Sequence, residues 1–353
     1  MARLSIAAAV LLAGMCAGCA SAPVAGTQPL ANVAAGPGNP VAQALESLRM
    51  REGFGPNDAV VVLQGERVLY RWGDVDSPMY VASVRKSILS LLYGVAVEKG
   101  VVRLDATLAE LGIDEAQAPL TAIEKRATVR DLLMARSGIY IESSGETTSM
   151  KELRPRRGQY APGEHFYYNN WDFNVLGVIL ERRTGMGIGQ LVDQWLARPL
   201  GMTRFRREHV SYRSVASSEH RQYMIDMSAE DLARIGAMVL QRGRFAGRQV
   251  VPEAWIDESL RPWSALPERN PAVPGIDAFG YLWWLDTTGQ DAWATGYHGQ
   301  FMIVDRDAGI VVVTRNDYGR GPGWVWERLF GNSGTYGTIL AIQRGALAAL
   351  GRQ

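Results

Sequence analysis

Ser83 and Lys86 stand three positions apart at the start of an apolar run. Residues i and i+3 lie on one face of a helix, so the Lys86 amine can reach the Ser83 hydroxyl. A serine at a helix N-terminus also has unpaired backbone N–H groups nearby, which can stabilise a developing oxyanion. The residues that follow are apolar, so Lys86 is expected to lie against a core, where desolvation lowers the pKa of a lysine. The alternative is that Ser83 only caps the helix and Lys86 is a surface charge.

Two later segments carry further chemical groups. Residues 162–170 read P-G-E-H-F-Y-Y-N-N before a predicted helix, and residues 295–301 read T-G-Y-H-G-Q-F between two β runs. Tyr167 and Tyr168 are each followed, two residues later, by an asparagine, so a Y-x-N pattern fits either tyrosine. No G-x-S-x-G motif occurs, which argues against an α/β-hydrolase.

S-x-x-K, then Y-x-N, then a Gly-containing strand motif resembles the serine β-lactamase and penicillin-binding-protein superfamily. The chain is more similar to its class C branch, with its esterases, D-amino-peptidases and 6-aminohexanoate-oligomer hydrolases. The resemblance covers roughly residues 42–350. The longer family pattern, P-G-x-x-F-x-Y-x-N, starts at Pro162 and selects Tyr168 and Asn170 over Tyr167.

This resemblance implies a role for each matching residue. Ser83 would be the nucleophile that forms an acyl-enzyme, and Lys86 would be its base. Tyr168 would share the proton with Lys86, protonate the leaving group and activate the deacylating water. Asn170 would hold Lys86 and the substrate carbonyl. The backbone N–H groups of Ser83 and Gln300 would form the oxyanion hole, in which each donor contributes about 3–4 kcal/mol.

The third motif departs from the β-lactamase pattern. Tyr297, His298 and Gly299 align with K-T-G, whose first residue is a cation that holds the substrate carboxylate in β-lactamases. Tyrosine carries no charge at pH 7, so carboxylate recognition must weaken or move elsewhere. His298 either orients the substrate or Tyr168, or points off the strand into solvent.

The elements that must position these residues suggest an α+β fold, and the resemblance implies a β-lactamase/transpeptidase-like one. Two β-rich runs form a predicted hairpin, an apolar helix follows, and Ser228 is a predicted N-cap. Strands at both ends of the body predict an antiparallel sheet built from N- and C-terminal segments, with a mainly helical insertion at about residues 106–270. The predicted elements are a hairpin (59–63 and 67–72), helices (83–98, 175–183, 189–200, 228–241 and 337–350), a mostly helical stretch (106–260) and late strands (280–285, 292–296, 301–304 and 310–314).

The N-terminus predicts export. Residues 1–19 resemble a lipoprotein signal peptide, because an apolar run leads to Cys16-Ala17-Gly18-Cys19, in which Cys19 would be lipidated. The alternative is ordinary cleavage after Ala22. Residues 20–41 predict a flexible tether, and 42–350 the hydrolase domain. We expect an outer-membrane lipoprotein on the periplasmic side of the cell envelope.

Composition excludes several classes of protein. The 37 basic and 36 acidic residues leave a net charge of +1, which argues against nucleic-acid binding. Both cysteines, Cys16 and Cys19, lie in the predicted signal peptide, so the body has no disulfide and no thiol nucleophile. Its four histidines form no zinc motif, and we expect neither metal nor organic cofactor. Only four of the basic residues are lysines, so a lysine here can be needed as an amine that loses its proton.

The sequence therefore predicts an exported serine hydrolase for a small ester or amide substrate. One alternative is a D-amino-peptidase or weak β-lactamase acting on peptidoglycan-like substrates. Another is a catalytically silent lipoprotein that only binds. Five aromatic residues near the motifs could line an apolar acyl pocket, but such residues are more often core: Tyr140, Trp171, Trp283, Trp284 and Trp293.

Overall fold

The computed structural model describes residues 30–32, 39–52, 59–266, 275–316 and 333–352. The predicted signal peptide, with Cys16 and Cys19, lies outside these residues, as does most of the predicted tether. Within the tether range, Ala31–Asn32 forms strand β1 and pairs in parallel with Arg67 and Val68, and the first helix begins at Pro40. The range predicted as a tether therefore includes two residues of the sheet, which its composition did not indicate.

The strands after β1 are β2 Ala59–Gln64, β3 Arg67–Gly73, β4 Met79–Tyr80, β5 Val210–Val215, β6 Ser218–Met227, β7 Arg244–Phe245, β8 Arg248–Gln249, β9 Ser264–Ala265, β10 Ala278–Phe279, β11 Trp284–Leu285, β12 Asp291–Gly296, β13 Gln300–Asp305 and β14 Ile310–Arg315. Within the described residues, a nine-stranded sheet has the order β1-β3-β2-β14-β13-β12-β11-β10-β9, antiparallel except at β1–β3. A second, three-stranded sheet has the order β4-β6-β5, and β7–β8 is a small hairpin.

The two ends of the chain meet in the middle of the large sheet, as predicted. β2 pairs with β14, with Val62 opposite Val312, and residues of both strands are buried on both faces. Because helices cover both faces of the sheet, nearly every position of such a strand is buried and its sequence is a continuous apolar run. Val61 and Val311 belong to the larger core on one side, whereas Val62 and Val312 belong to a second core with the first and last helices.

The helices cover both faces of this sheet. Helix α7 (Ala229–Leu240) packs closely on β14 because Gly236 has no side chain. A Cβ at Gly236 would lie 2.5 Å from a methyl carbon of Val311. Ser228 caps this helix as predicted, accepting a hydrogen bond from the Asp231 N–H at 3.1 Å. Among the described residues, no helix has the length and apolar content needed to span a membrane. The helices are α1 Pro40–Glu52, α2 Val84–Glu98, α3 Val129–Leu133, α4 Thr148–Leu153, α5 Asn170–Thr184, α6 Ile188–Val192, α7 Ala229–Leu240, α8 Glu253–Ser259 and α9 Ser333–Ala349.

Two predicted elements differ from the structure. The stretch 106–260, predicted to be mostly helical, contains the hairpin β5–β6. Its inward positions include polar residues such as His220 and Gln222, so no apolar alternation marks the strands. The predicted strand 280–285 is strand only from Trp284 onward. Leu282 has φ +65° and donates its N–H to the carbonyls of Gly280 and Leu133, which makes a turn.

Candidate active site

Ser83 occupies a tight turn between β4 and α2. Ala82 before it has φ +48°, a conformation that costs a non-glycine residue free energy and is found mainly where surrounding structure enforces it. Ser83 is the residue preceding α2, but its side chain makes no capping hydrogen bond. The Ser83 hydroxyl is therefore available to Lys86, contrary to the alternative that it only caps the helix.

Lys86 is buried at the centre of the site, with 2% of its surface exposed. Its Nζ lies 2.7 Å from Ser83 Oγ and 2.8 Å from the Tyr168 hydroxyl. The rings of Tyr168 and Phe173 lie beside the amine, with centroids at 4.6 and 5.0 Å. Burial lowers the pKa of Lys86 well below its usual value, and the positive charge of Arg85 lowers it further. Lys86 is therefore not a surface charge, and its neutral amine can act as a base.

Arg85 is a buried cation that the motif analysis did not single out. It is 1% exposed, its guanidinium lies 4.3 Å from the Tyr223 ring centroid, and one terminal nitrogen donates to Asn174 Oδ1 at 3.5 Å. Arg85 is buried because it lies in the first turn of α2, a helix that is buried along almost its whole length. Only its tertiary surroundings, which the sequence pattern does not encode, give it an electrostatic role.

The structure places Tyr168, and not Tyr167, beside Lys86. The Tyr168 ring stacks on Trp284 at 5.1 Å, and burial raises the pKa of its hydroxyl. Tyr167 turns the other way and donates its hydroxyl to the Met150 carbonyl at 2.7 Å. Tyr168 is therefore a neutral phenol within hydrogen-bond distance of the amine.

Asn170 lies in the first turn of α5, next to this cluster. Its Nδ2 donates to the Gly145 carbonyl at 2.5 Å, which fixes the orientation of the amide. Its Oδ1 is buried and accepts no hydrogen bond from the described residues. The predicted contact with Lys86 is not among the hydrogen bonds of the described chain. Oδ1 is instead an open acceptor next to the catalytic cluster.

The third motif forms the loop of the β12–β13 hairpin. Gly296 and Gln300 are paired, and the loop between them has φ +59° at His298 and +77° at Gly299. Tyr297 is 50% exposed, whereas His298 is 3% exposed, so the His298 ring does not point into solvent. The rings of Tyr297 and His298 lie edge to face, with their centroids 3.7 Å apart.

This hairpin lies directly against the Ser83 turn. A Cβ at Gly296 would lie 2.6 Å from the Val81 carbonyl oxygen and 3.2 Å from the Ala82 Cβ, so glycine permits the approach. The Gln300 side chain is buried and donates to the carbonyls of His298 and Asn316, at 3.2 and 2.6 Å. The backbone of Gln300, the predicted second oxyanion donor, is therefore held at the end of β13 nearest this turn.

Of the aromatic residues near the motifs, four belong to the core. Trp171, Trp283 and Trp293 are at most 1% exposed and Tyr140 is 6% exposed. Trp284 is half-buried and stacks on Tyr168. In the described part of the chain, no group of three or more His, Cys, Asp or Glu side chains could hold a metal ion.

The antiparallel sheet, the helical region and the Ser-Lys-Tyr cluster define a β-lactamase/transpeptidase fold. Residues 42–317 match the family model described as Beta-lactamase. The chain belongs to this family, so the predicted relation to the β-lactamases is confirmed.

Relatives with several activities are similar to the chain. A 6-aminohexanoate-dimer hydrolase from Paenarthrobacter ureafaciens is 26% identical over 288 residues, which are 72% of this chain and 71% of the relative. A D-aminopeptidase from Brucella anthropi is 27% identical over 166 residues, 42% of this chain and 32% of the relative. The chain therefore covers about a third of that enzyme. A penicillin-binding protein from Bacillus halodurans has the same fold, with a TM-score of 0.61, 15% identity and coverage of 85% and 99% of the two chains.

Replacing Lys86 by Met tests whether its amine is buried in the neutral form. The pKa of Lys86 is lower in the folded than in the unfolded chain, so between the two values the unfolded chain binds one more proton. The free energy of unfolding of the wild type therefore falls as pH falls through this window. We expect Lys86→Met to be about 0.5–2 kcal/mol more stable near pH 7, with a gap that widens as pH falls.

Urea unfolding of wild type and variant at several pH values measures this gap. Lys99→Met is the matched control, because Lys99 is exposed at the end of α2 and its replacement should leave the pH dependence unchanged. If the free energy of unfolding varied with pH in the same way for wild type and Lys86→Met, the prediction that the Lys86 amine is buried in its neutral form would be contradicted.

Proposed function

We propose that the chain is an exported serine hydrolase that cleaves an ester or amide through an acyl-enzyme on Ser83. The observation that carries the proposal is the contact of one buried amine, Lys86 Nζ, with both the Ser83 and the Tyr168 hydroxyl, at 2.7 and 2.8 Å. These distances are within the range over which a proton passes between a nucleophile and its base.

Acylation begins when Ser83 Oγ attacks the substrate carbonyl and gives its proton to Lys86. The oxyanion that forms accepts hydrogen bonds from the backbone N–H groups of Ser83 and Gln300. Collapse of this intermediate breaks the bond to the leaving group, which takes a proton from Tyr168. Lys86 then returns its proton to Tyr168, so the acyl-enzyme starts with a neutral amine and a neutral phenol.

Deacylation reverses these proton transfers. The raised pKa of Tyr168 makes its phenolate a costly resting state, so Lys86 is the base at neutral pH. Water gives a proton to the Tyr168 oxygen as the phenol proton passes to Lys86, and the hydroxide formed attacks the acyl carbonyl. Release of the acid then returns the proton from Lys86 to Ser83.

The chemistry of the entrance favours a substrate without a carboxylate next to the scissile bond. Tyr297 is half exposed where β-lactamases carry a cation, which counts against a peptidoglycan D-amino-peptidase or a β-lactamase. The open acceptor Asn170 Oδ1 suits a substrate N–H, as in an amide. An amide is also the bond class expected from the similarity to the 6-aminohexanoate-dimer hydrolase.

A silent binding module is the remaining alternative. Burying an amine costs free energy, and a protein that only binds has no need of one in contact with two hydroxyls. The Lys86 cluster therefore favours catalysis over binding alone.

Ser83→Ala tests the nucleophile. We expect a fluorophosphonate to add once to the wild-type protein, because Lys86 activates the Ser83 hydroxyl, and not to add to the variant. Mass spectrometry of the intact proteins measures this. An adduct that survives in Ser83→Ala would contradict the assignment of the nucleophile, and no adduct on either protein would support the binding module.

Tyr168→Phe and Tyr167→Phe form a matched pair of neighbouring tyrosines. Removing the Tyr168 hydroxyl should lower kcat for a nitrophenyl ester or anilide by about 10²- to 10⁴-fold, because proton transfer to the leaving group and from water is lost. Removing the Tyr167 hydroxyl loses one hydrogen bond to the Met150 carbonyl, about 1 kcal/mol of stability. Equal losses of kcat in both variants would argue against the role of Tyr168.

Export and lipidation are a separate part of the proposal, supported by the order of charge, apolar run and cysteine in residues 1–19. We expect the full chain expressed in a Gram-negative host to fractionate with the outer membrane and to carry a diacylglyceryl group on Cys19. Cys19→Ser should abolish the lipid, whereas the control Cys16→Ser should retain it. Mass spectrometry of the mature N-terminus checks both, and a mature chain that begins after Ala22 would favour simple secretion.

A further inference from the structure

Arg315, the last residue of β14, is a buried cation next to the site. It is fully buried, and burial lowers its pKa to about 9, against the opposing effect of the Asp226 carboxylate. Because that pKa is above 7, the guanidinium is charged at neutral pH. Such a charge is costly to bury unless its N–H groups find acceptors, so its hydrogen bonds indicate what it holds.

The three nitrogens of this guanidinium bond to three different elements. Nε donates to Gln300 Oε1 at 2.6 Å, at the start of β13. One terminal nitrogen donates to the Tyr80 carbonyl at 3.3 Å, in β4, and the other to the Met227 carbonyl at the end of β6. A guanidinium is planar and rigid, so these acceptors are fixed relative to one another.

Two of the three acceptors lead directly to the proposed oxyanion donors. Tyr80 stands three residues before Ser83, and Val81 between them is anchored by its N–H to the Ile225 carbonyl at 2.9 Å. Gln300 is itself the second donor. Ser83 and Gln300 are 217 positions apart in the chain. Arg315 contacts Gln300 and the segment that leads to Ser83.

The hydrogen bonds of Gln300 make its side chain a link between Arg315 and the hairpin loop. While Oε1 accepts from Arg315, Nε2 donates to the carbonyl of His298, inside the loop, and to that of Asn316. On the other side of the loop, Thr314 Oγ1 donates to the Gly299 carbonyl at 3.0 Å. The loop conformation, with two consecutive residues at positive φ, is therefore tied to the end of β14.

We propose that Arg315, acting through Gln300 and Tyr80, is a positioning residue that sets the separation of the Ser83 and Gln300 N–H groups in the oxyanion hole. The inference rests on the proposed function. It assigns Arg315 no contact with substrate. Its effect is on geometry, because a misplacement of about 1 Å in a catalytic group can cost about 10²-fold in rate.

The test measures how fast a fluorophosphonate modifies Ser83, because the phosphoryl oxygen of the forming adduct occupies the oxyanion hole. Arg315→Met, Gln300→Met and the double variant are compared with wild type, with kinact and KI determined separately. Gln300→Met keeps the backbone N–H and leaves the contacts of Arg315 with Tyr80 and Met227 in place. We expect each single variant to lower kinact by about 10- to 100-fold with little change in KI. The double variant should lose no more than the worse single one, because Arg315→Met already removes the Arg315–Gln300 contact that Gln300→Met removes.

Arg234→Met is the matched control for the loss of a buried arginine. Arg234 on α7 is 4% exposed and donates to the Leu200 carbonyl at 3.1 Å. Its replacement should lower the free energy of unfolding while leaving kinact unchanged. Arg315→Lys, which keeps the positive charge and a single donor nitrogen, should recover part of the rate lost in Arg315→Met.

The outcomes separate this inference from the proposed function. If wild type is not modified at Ser83, the proposed function fails and the inference falls with it. If wild type is modified and Gln300→Met reacts at the same rate, the inference alone is overturned, even where Arg315→Met does not fold. Losses that multiply in the double variant, or an equal loss in Arg234→Met, would also overturn it.

Discussion

An amine that is 2% exposed has to be held without water and without a carboxylate that would keep it protonated, and the surroundings of Lys86 satisfy both conditions. Its nitrogen contacts two hydroxyls and two aromatic rings, and the ion pairs of the described residues do not include it. The positive charge of Arg85, which has the same sign, also lowers the pKa of Lys86. Burial and repulsion therefore act in one direction, towards the neutral base that the proposed acyl transfer requires.

The two ends of the chain form one sheet, which brings the Ser83 turn next to the loop that carries Gln300. The Ser83 turn follows β4 from the N-terminal part, whereas the loop that carries Gln300 belongs to the C-terminal part, and they meet where Gly296 lacks a side chain. Both segments contain a non-glycine residue at positive φ, Ala82 and His298. Such conformations persist only when packing and hydrogen bonds over-determine them, and the rigid sheet provides this support.

The sequence predicted those features of the site that depend on local geometry. The spacing of Ser83 and Lys86 on one helix places their side chains together whatever the rest of the fold. The longer family pattern placed Tyr168, and not Tyr167, beside them, although Y-x-N alone left both open. The contacts of Arg315 could not be predicted in this way, because its acceptors stand 15 to 235 positions away and depend on how three strands meet. Among the described residues no hydrogen bond joins Asn170 to Lys86, because the carbonyl of Gly145, 25 positions away in the chain, orients the amide.

Two of the buried arginines, Arg85 and Arg315, place positive charge next to residues of the candidate site. Arg85 acts electrostatically on Lys86, Arg315 contacts Gln300, and both arginines are almost fully buried. Arg85 lowers the pKa of Lys86, and Arg315 holds the Gln300 side chain through a hydrogen bond from its Nε. At the entrance, the position that holds a cation in β-lactamases is occupied by Tyr297, so there positive charge does not select for a substrate carboxylate. In the proposed mechanism the buried cations therefore tune Lys86 and position Gln300, and neither holds a substrate carboxylate, which fits the proposed neutral ester or amide.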